Sequence, residues 1–287
     1  MQDSRSPRRL RRGSNGRFRP SQEVKPAASR PVCRRPEHLA EISSMRLIDG
    51  TGAPIDPAIM SDTLATSGVV FIRDGDLPTL IELLLTFSEL YHHPHEDSVG
   101  ITRIEGASSA STIGHPGRQA FSRDALPLHT DRAMVAAPPT LATLLTVQAP
   151  AQGGEALLAD LAPAIHRLTR LPDLAEACRS AVLVSADRQA PVLEPLGPAG
   201  YRFRYRNDAI ARSRLLSSCG WPVLEELRKL RNTPRVVRMS AGDGYIVHNH
   251  RYLHGRRSFS GDRQMIRLLA SSDIPVITAQ ALRTHGG

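Results

Sequence analysis

The feature that most limits how this chain folds is a series of short apolar runs closed by Gly, Pro or polar turn residues. They read GVVFIRDG (68–75), TLATLLTVQ (140–148), ALLAD (156–160), YRFRYR (201–206), GYIVHN (244–249) and RQMIRLLAS (263–271). Runs of this length and bounding are strand signals. In YRFRYR the alternation is strict, which puts Tyr201, Phe203 and Tyr205 on one face and the three arginines on the other. Helical patterns lie between the strands. DLPTLIELLLTFSELYHH (76–93) begins with Asp76 as N-cap and Pro78 in its first turn, DLAPAIHRLTRL (160–171) is capped by Asp160, and WPVLEELRKL covers 221–230. RVVRMSAGDGYIVHN (235–249) reads as two strands about a Gly-Asp-Gly turn, and the polar stretch 95–128 as a long loop over an active site. Strands therefore dominate, with helices beside them, which points to a β-sandwich or barrel with helical cover. Aromatic residues are only 4% of the chain against 40% apolar, so the core must be built from aliphatic side chains. There is no internal repeat.

The net charge of +9 resembles a nucleic-acid signal until it is located. Residues 1–45 hold 11 Lys and Arg against 4 Asp and Glu, a net +7, and the remaining 26 basic and 24 acidic residues leave only +2. Residues 1–44 are rich in Arg, Ser and Pro with almost no aliphatic periodicity, and read as a disordered basic tail ahead of a folded domain spanning 45–287. A nucleic-acid reader carries basic charge on its folded face as well, so the near-neutral body argues against that class. The longest apolar run is far too short to cross a bilayer, and no signal-peptide core follows the N-terminal arginines. Cys33, Cys178 and Cys219 are odd in number and widely spaced, unlike a disulfide framework or zinc ribbon. A reducing, cytoplasmic setting is the expectation.

Metal-ligand side chains concentrate in two places. In LPLHTDRAM, His129 and Asp131 are two apart, so on an extended strand both point to one face. More than a hundred residues later, VHNHRYLHGRRSF offers His248, His250 and His254. Two imidazoles and one carboxylate on one side of a metal leave open positions, the arrangement by which non-haem Fe(II) oxygenases take up co-substrate and oxygen. The pattern of types alone leaves open which of the three histidines completes the set. Arg263 and Arg267 follow His254 by 9 and 13 residues, four apart on one strand, and so share a face. A guanidinium there offers a bidentate fork for a carboxylate. An arginine set among MIRLLA is costly to point inward without an anion.

These motifs together, LHTD, QGGEALLADL, GDGYIVHNHRYLHGRRSF and DRQMIRLLA, resemble the taurine dioxygenase and clavaminate synthase-like group of Fe(II)/2-oxoglutarate oxygenases, in the right order from about Gly68 to Ser272. The resemblance implies a mainly β, α+β chain with a double-stranded β-helix (jelly-roll) core and flanking helices. It implies His129, Asp131 and His254 as Fe(II) ligands, with His254 matching the distal histidine of the family phrase. His248 and His250 then become flanking strand residues. It implies Arg263 on the 2-oxoglutarate C5 carboxylate and Arg267 supporting the site or meeting substrate. Two departures stand out: Ala156 occupies the place of a threonine that assists the co-substrate, and His248 the place of an aspartate. The implied reaction uses O2 and 2-oxoglutarate, releases succinate and CO2, and oxidises a small-molecule substrate. Family halogenases lack the carboxylate, so Asp131 implies hydroxylation, or a related oxidation. Arg206, Arg103 and Glu105 are further candidates for substrate contact, beside Arg267. An amino acid or amino-acid-derived metabolite fits a carboxylate clamp with an acidic partner. A sulfonate or other small organic acid fits too.

Overall fold

The structure, a computed structural model, describes residues 44–94, 96–98, 100–106, 117–197 and 200–276. All but Ser44 of the basic tail expected over 1–44 thus lies outside the described residues. The apolar runs form the strands expected of them, except that YRFRYR is strand only over Tyr201–Phe203. GVVFIRDG contributes Val69–Arg73, TLATLLTVQ contributes Leu141–Gln148, and RQMIRLLAS contributes Gln264–Ser271. An eight-stranded sheet places these beside Gly244–His248, in the order Val69–Arg73, Gly244–His248, Leu141–Gln148, Gln264–Ser271, with shorter strands at both edges. A second sheet of four strands runs Arg235–Val237, Ala156–Asp160, Tyr252–Arg256, Leu126–His129. The pairings within both are antiparallel.

Alternation then decides what each face touches. On Leu141–Gln148, Leu141 and Leu145 turn outward to Leu80, Leu83 and Leu84 of the helix Leu77–Leu85, while Ala142 and Leu144 turn inward. The inward residues of the large sheet (Val69, Phe71, Tyr245, Val247, Leu269) pack against Ala156, Leu158 and Tyr252 of the small one. Leu128, Ala159 and Leu253, on the small sheet's other face, lie against Leu161, Ile165, Leu168 and Leu227 of the flanking helices. Each fully buried leucine contributes about 1.5–3 kcal/mol, so the three layers of contact carry the fold without aromatic bulk. The chain is strand-rich with few helices, as expected. No helix among the described residues is long and apolar enough to cross a membrane.

Four local expectations differ from the structure. The helix after Asp76 ends at Leu85 and not near 93, because Glu89–Leu90 pairs with Ala270–Ser271 as an edge strand. Asp76 does cap it, its Oδ1 accepting from the Thr79 N–H at 3.0 Å. Arg235–Val237 and Gly244–His248 are not a hairpin, since the former pairs with Ala156–Asp160 in the small sheet and the latter joins the large one. The stretch 95–128 is not simply loop: it contains the strands Ile101–Glu105 and Leu126–His129. Asp160 holds the next helix from one residue further back than an N-cap, accepting from the Ala162 N–H at 2.9 Å while it pairs with Arg251.

Candidate metal centre and active-site cavity

Sheet register brings two histidines together. His254 stands opposite His129 in the antiparallel pair Tyr252–Arg256 with Leu126–His129. Directly opposed residues project to one face about 5 Å apart, and the two ring centroids are 4.6 Å apart. Leu128 and Leu253, one residue earlier on each strand, sit in the helix-side core, so His129 and His254 must face the other way, between the sheets. Asp131 lies beyond the strand's end at His129, and its orientation is set by tertiary bonds. Its backbone N–H donates to Asn249 Oδ1 at 2.8 Å, and its carbonyl accepts from Asn249 Nδ2 at 3.0 Å. The same Nδ2 donates to the Pro139 carbonyl at 2.9 Å. One amide therefore clamps both ends of the 131–139 loop.

The three donor groups fit a metal. One ligand atom from each of His129, Asp131 and His254 lies within 4.8 Å of the others, and all three residues are buried. His129 Nδ1 donates to the Pro127 carbonyl at 2.9 Å, which leaves Nε2 with its lone pair toward the centre. Burial, with the positive charges of His254 and Arg206 nearby, pushes the His129 pKa down to about 3, so the ring is neutral at physiological pH. Burial opposes ionisation of Asp131, but the Arg267 guanidinium and then the His254 hydrogen bond hold its carboxyl well below the usual range. Asp131 Oδ2 is 3.2 Å from His254 Nε2 and Oδ1 is 3.1 Å from Arg267 Nη1. Two imidazole nitrogens and a carboxylate oxygen suit a first-row transition ion.

Two openings meet at this centre. A cavity of about 290 Å³ is lined by His129, Asp131, Arg132, Arg206, Arg267 and His93 on its polar side, with Met134, Val135 and Ile210 among its apolar wall. A smaller one of about 50 Å³ is lined by His254, Arg263, Ala156 and Tyr245, and shares His129, Asp131 and Arg267 with the first. Arg263 and Arg267 both reach this inner space. Burial pulls the Arg263 guanidinium down to about 10, still cationic at neutral pH, and among the described residues no carboxylate pairs with it. Its neighbour is the Phe259 ring, 5.4 Å away. Gly153 and Gly154 make the turn into Ala156–Asp160 at φ +73 and +74, and a Cβ on Gly153 would meet the Ser258 carbonyl at 2.3 Å.

The other sequence candidates separate. Arg206 lines the large cavity and is tied to Asp208 at 2.5 Å, both largely buried. Arg103 and Glu105 do not line it. Strand phase turns Thr102 and Ile104 inward and these two out to solvent, where Glu105 accepts from Gln264 Nε2 at 2.8 Å. His248 and His250 are buried away from both openings, facing the Ile274 and Pro138 carbonyls at 3.3 and 3.2 Å. Arg256 is spent on carbonyls of the 118–125 segment, those of Asp124 and Ser122, and Arg257 is exposed. Sequence reasoning missed Asn249, His93 and Arg132. His93 stands 3.2 Å from Arg267 Nη2, and nothing in its YHHPH context marks that contact.

Two imidazoles and a carboxylate at the mouth of a cavity match the donor set of an open-faced, non-haem oxygenase metal site. A profile of the family described as "Taurine catabolism dioxygenase TauD, TfdA family" matches residues 52–217, spanning His129 and Asp131. That is more than half of the chain, and the chain belongs to this family. Among solved structures, PvcB from Pseudomonas aeruginosa is similar at 17% identity and a TM-score of 0.55, covering 80% of this chain and 94% of that one. An asparagine oxygenase in complex with Fe(II), 2S,3S-3-hydroxyasparagine and succinate is similar at 16% identity and a TM-score of 0.56, with 75% and 77% covered. A putative alpha-ketoglutarate-dependent taurine dioxygenase from Burkholderia xenovorans gives 20% and 0.53, with 78% and 82% covered. At these identities the likeness is one of fold. No curated protein matches the sequence.

Proposed function

We propose that the chain is an Fe(II)/2-oxoglutarate-dependent dioxygenase that oxidises, by hydroxylation in the first instance, a small amino-acid-derived substrate. The observation that carries this is the register pair His129–His254 with Asp131, set beside a buried Arg263 that lacks a carboxylate partner among the described residues. His129, Asp131 and His254 would hold the iron. Bound there with 2-oxoglutarate, it supplies the oxidising power that turns O2 and the co-substrate into succinate, CO2 and an oxygen atom delivered to substrate. Arg263 binds the co-substrate's distal carboxylate, for which an unpaired guanidinium in a dry pocket is the matching partner. Arg267 holds Asp131 ionised and oriented. The apolar wall of Met134, Val135 and Ile210 keeps bulk water from the reacting substrate. Ala156 offers no hydroxyl, so Arg263 bears more of the co-substrate's anchoring.

The two facing antiparallel sheets support a double-stranded β-helix, or jelly-roll, reading of the core over 45–287, with residues 1–44 as an appended tail. PvcB is described as an Fe, alpha-ketoglutarate dependent oxygenase from an isonitrile synthetic pathway, and the asparagine oxygenase carries hydroxyasparagine with succinate. The latter favours amino-acid chemistry over a sulfonate. The test is succinate release under air with Fe(II) and 2-oxoglutarate across amino acids, their N-acylated forms and small sulfonates. Release coupled to one compound is the expected result, and none above the substrate-free rate across the panel refutes the assignment.

A further inference from the structure

The charged groups on the large cavity differ in what they are bound to. Arg206 is tied to Asp208 through Nη2 at 2.5 Å and Nε at 3.0 Å. Arg267 donates to Asp131 at 3.1 Å and reaches His93 at 3.2 Å. Arg132 lines the same cavity, yet its side chain has no hydrogen-bond or ion-pair partner among the described residues, and its Nε is buried. Its backbone sits at φ +55, a left-handed conformation that a side-chain-bearing residue rarely adopts. The strain is held by the neighbouring carbonyls. Arg204 donates to those of Ala133, Val135 and Ala136 at 2.8, 2.6 and 3.0 Å, and is anchored in turn by Glu194 at 2.9 Å. A strained residue braced from outside, with a free cation in the cavity, is the kind of feature that marks a binding position.

Among the described residues the cavity offers no unengaged carboxylate. Asp131 is its one acidic lining residue among those described, and both of its oxygens are engaged. Asp208 is held by Arg206 and by the Ile210 N–H. The internal positions outside the described residues (95, 99, 107–116 and 198–199) contain no Asp or Glu. A substrate ammonium would lose its hydration there and gain no carboxylate, which is costly, whereas a substrate anion meets an unpaired guanidinium.

We infer that Arg132 is a specificity-determining residue that takes an anionic group of the substrate, and that the substrate is a small acid without a free ammonium, such as an N-acylated amino acid. This rests on the oxygenase reading above and narrows its substrate class. The size agrees with a small ligand, since about 290 Å³ lies just under the roughly 300–1,000 Å³ typical of ligand pockets.

The test is calorimetric binding of matched pairs, L-leucine, L-methionine and L-phenylalanine against their N-acetyl forms, to protein loaded with Mn(II) and 2-oxoglutarate. At least one N-acetyl acid is expected to bind tenfold or more tighter than its parent amino acid. Arg132→Met should weaken that acid by roughly tenfold to a hundredfold, the loss expected of one charge-assisted contact. Arg132→Lys should recover part of it, and the 2-oxoglutarate Kd should stay within twofold in both. Both variants keep an unbranched side chain at the same φ, so the backbone strain is unchanged. Free amino acids binding as tightly as their N-acetyl forms, binding of neither class, or an N-acetyl preference that survives Arg132→Met each overturn the inference. Failure of the oxygenase reading looks different: the parent protein then binds no 2-oxoglutarate at all, which overturns both.

Discussion

Replacing Asn249 with Ala tests the clamp that orients Asp131. Asn249 is 0% exposed, and its side chain satisfies the Asp131 N–H, the Asp131 carbonyl and the Pro139 carbonyl at 2.8, 3.0 and 2.9 Å. Alanine leaves three buried polar groups without a partner. Each such loss costs about 1–3 kcal/mol, and a water entering the vacated space recovers some of it, so the net destabilisation is about 3–5 kcal/mol. At roughly 2–4 °C per kcal/mol for a domain of this size, the melting temperature should fall by roughly 6–20 °C. Thermal unfolding of the metal-free protein, followed by circular dichroism, measures this. Adding Mn(II) should raise the melting temperature of the parent and raise that of the variant far less, because an untethered Asp131 presents its carboxylate poorly. Asn249→Asp is the sharper control. It keeps the acceptor for the Asp131 N–H but sets a carboxylate oxygen against two carbonyls, and should be at least as damaging. A melting temperature within 2 °C of the parent for Asn249→Ala, with the Mn(II) shift intact, would refute the reasoning.

Other outcomes follow from the same geometry. Arg263→Met should raise the KM for 2-oxoglutarate by roughly tenfold to a hundredfold with a smaller effect on kcat, as steady-state succinate release would show, because it removes a binding contact to the co-substrate. Removal of residues 1–44 should leave 2-oxoglutarate turnover intact while abolishing any salt-sensitive binding to DNA, measured by electrophoretic mobility shift at rising salt. Burial pushes His248 down to about 4 from an ordinary value near 6.5, so the folded state holds the ring neutral while the unfolded chain takes up a proton. That stability is fully present above about pH 6.5 and is lost as pH falls toward 4. His248 alone should therefore account for about 2 kcal/mol of the unfolding free energy lost between pH 7.5 and pH 5 in urea unfolding of the metal-free protein, and His248→Gln should remove that part of the slope.

The readable parts of this chain were those in which chemistry is carried by local pattern. Short apolar runs closed by turn residues mark Val69–Arg73, Leu141–Gln148 and Gln264–Ser271, and a four-residue spacing puts Arg267 and Arg263, just ahead of the last strand, on one cavity. The spacing in LHTD singled out His129 and Asp131, but their shared orientation does not come from a common strand. The strand stops at His129, and Asp131 is aimed by Asn249, a hundred residues and more away. No local signal announces such a partner. Arg132 was passed over for a related reason: what distinguishes it from the paired Arg204 and Arg206 is the lack of a counter-ion among the described residues, which sequence does not record. Arg103 and Glu105 lie in a stretch whose polarity suggests loop; a strand forms there instead, and one step of phase sends both to solvent. The supposed hairpin at 235–248 failed because nearness in sequence says nothing about which sheet each strand joins.

The central claim is that His129, Asp131 and His254 hold the iron of a 2-oxoglutarate oxygenase. The most direct measurement is succinate formed from 2-oxoglutarate by the parent protein, by Asp131→Ala and by His254→Ala, each with Fe(II) and with Zn(II), in air and under argon. Release by the parent with Fe(II) in air alone, and its loss in both variants, is the predicted result. Full turnover in either variant, or turnover sustained by zinc or without oxygen, would contradict it.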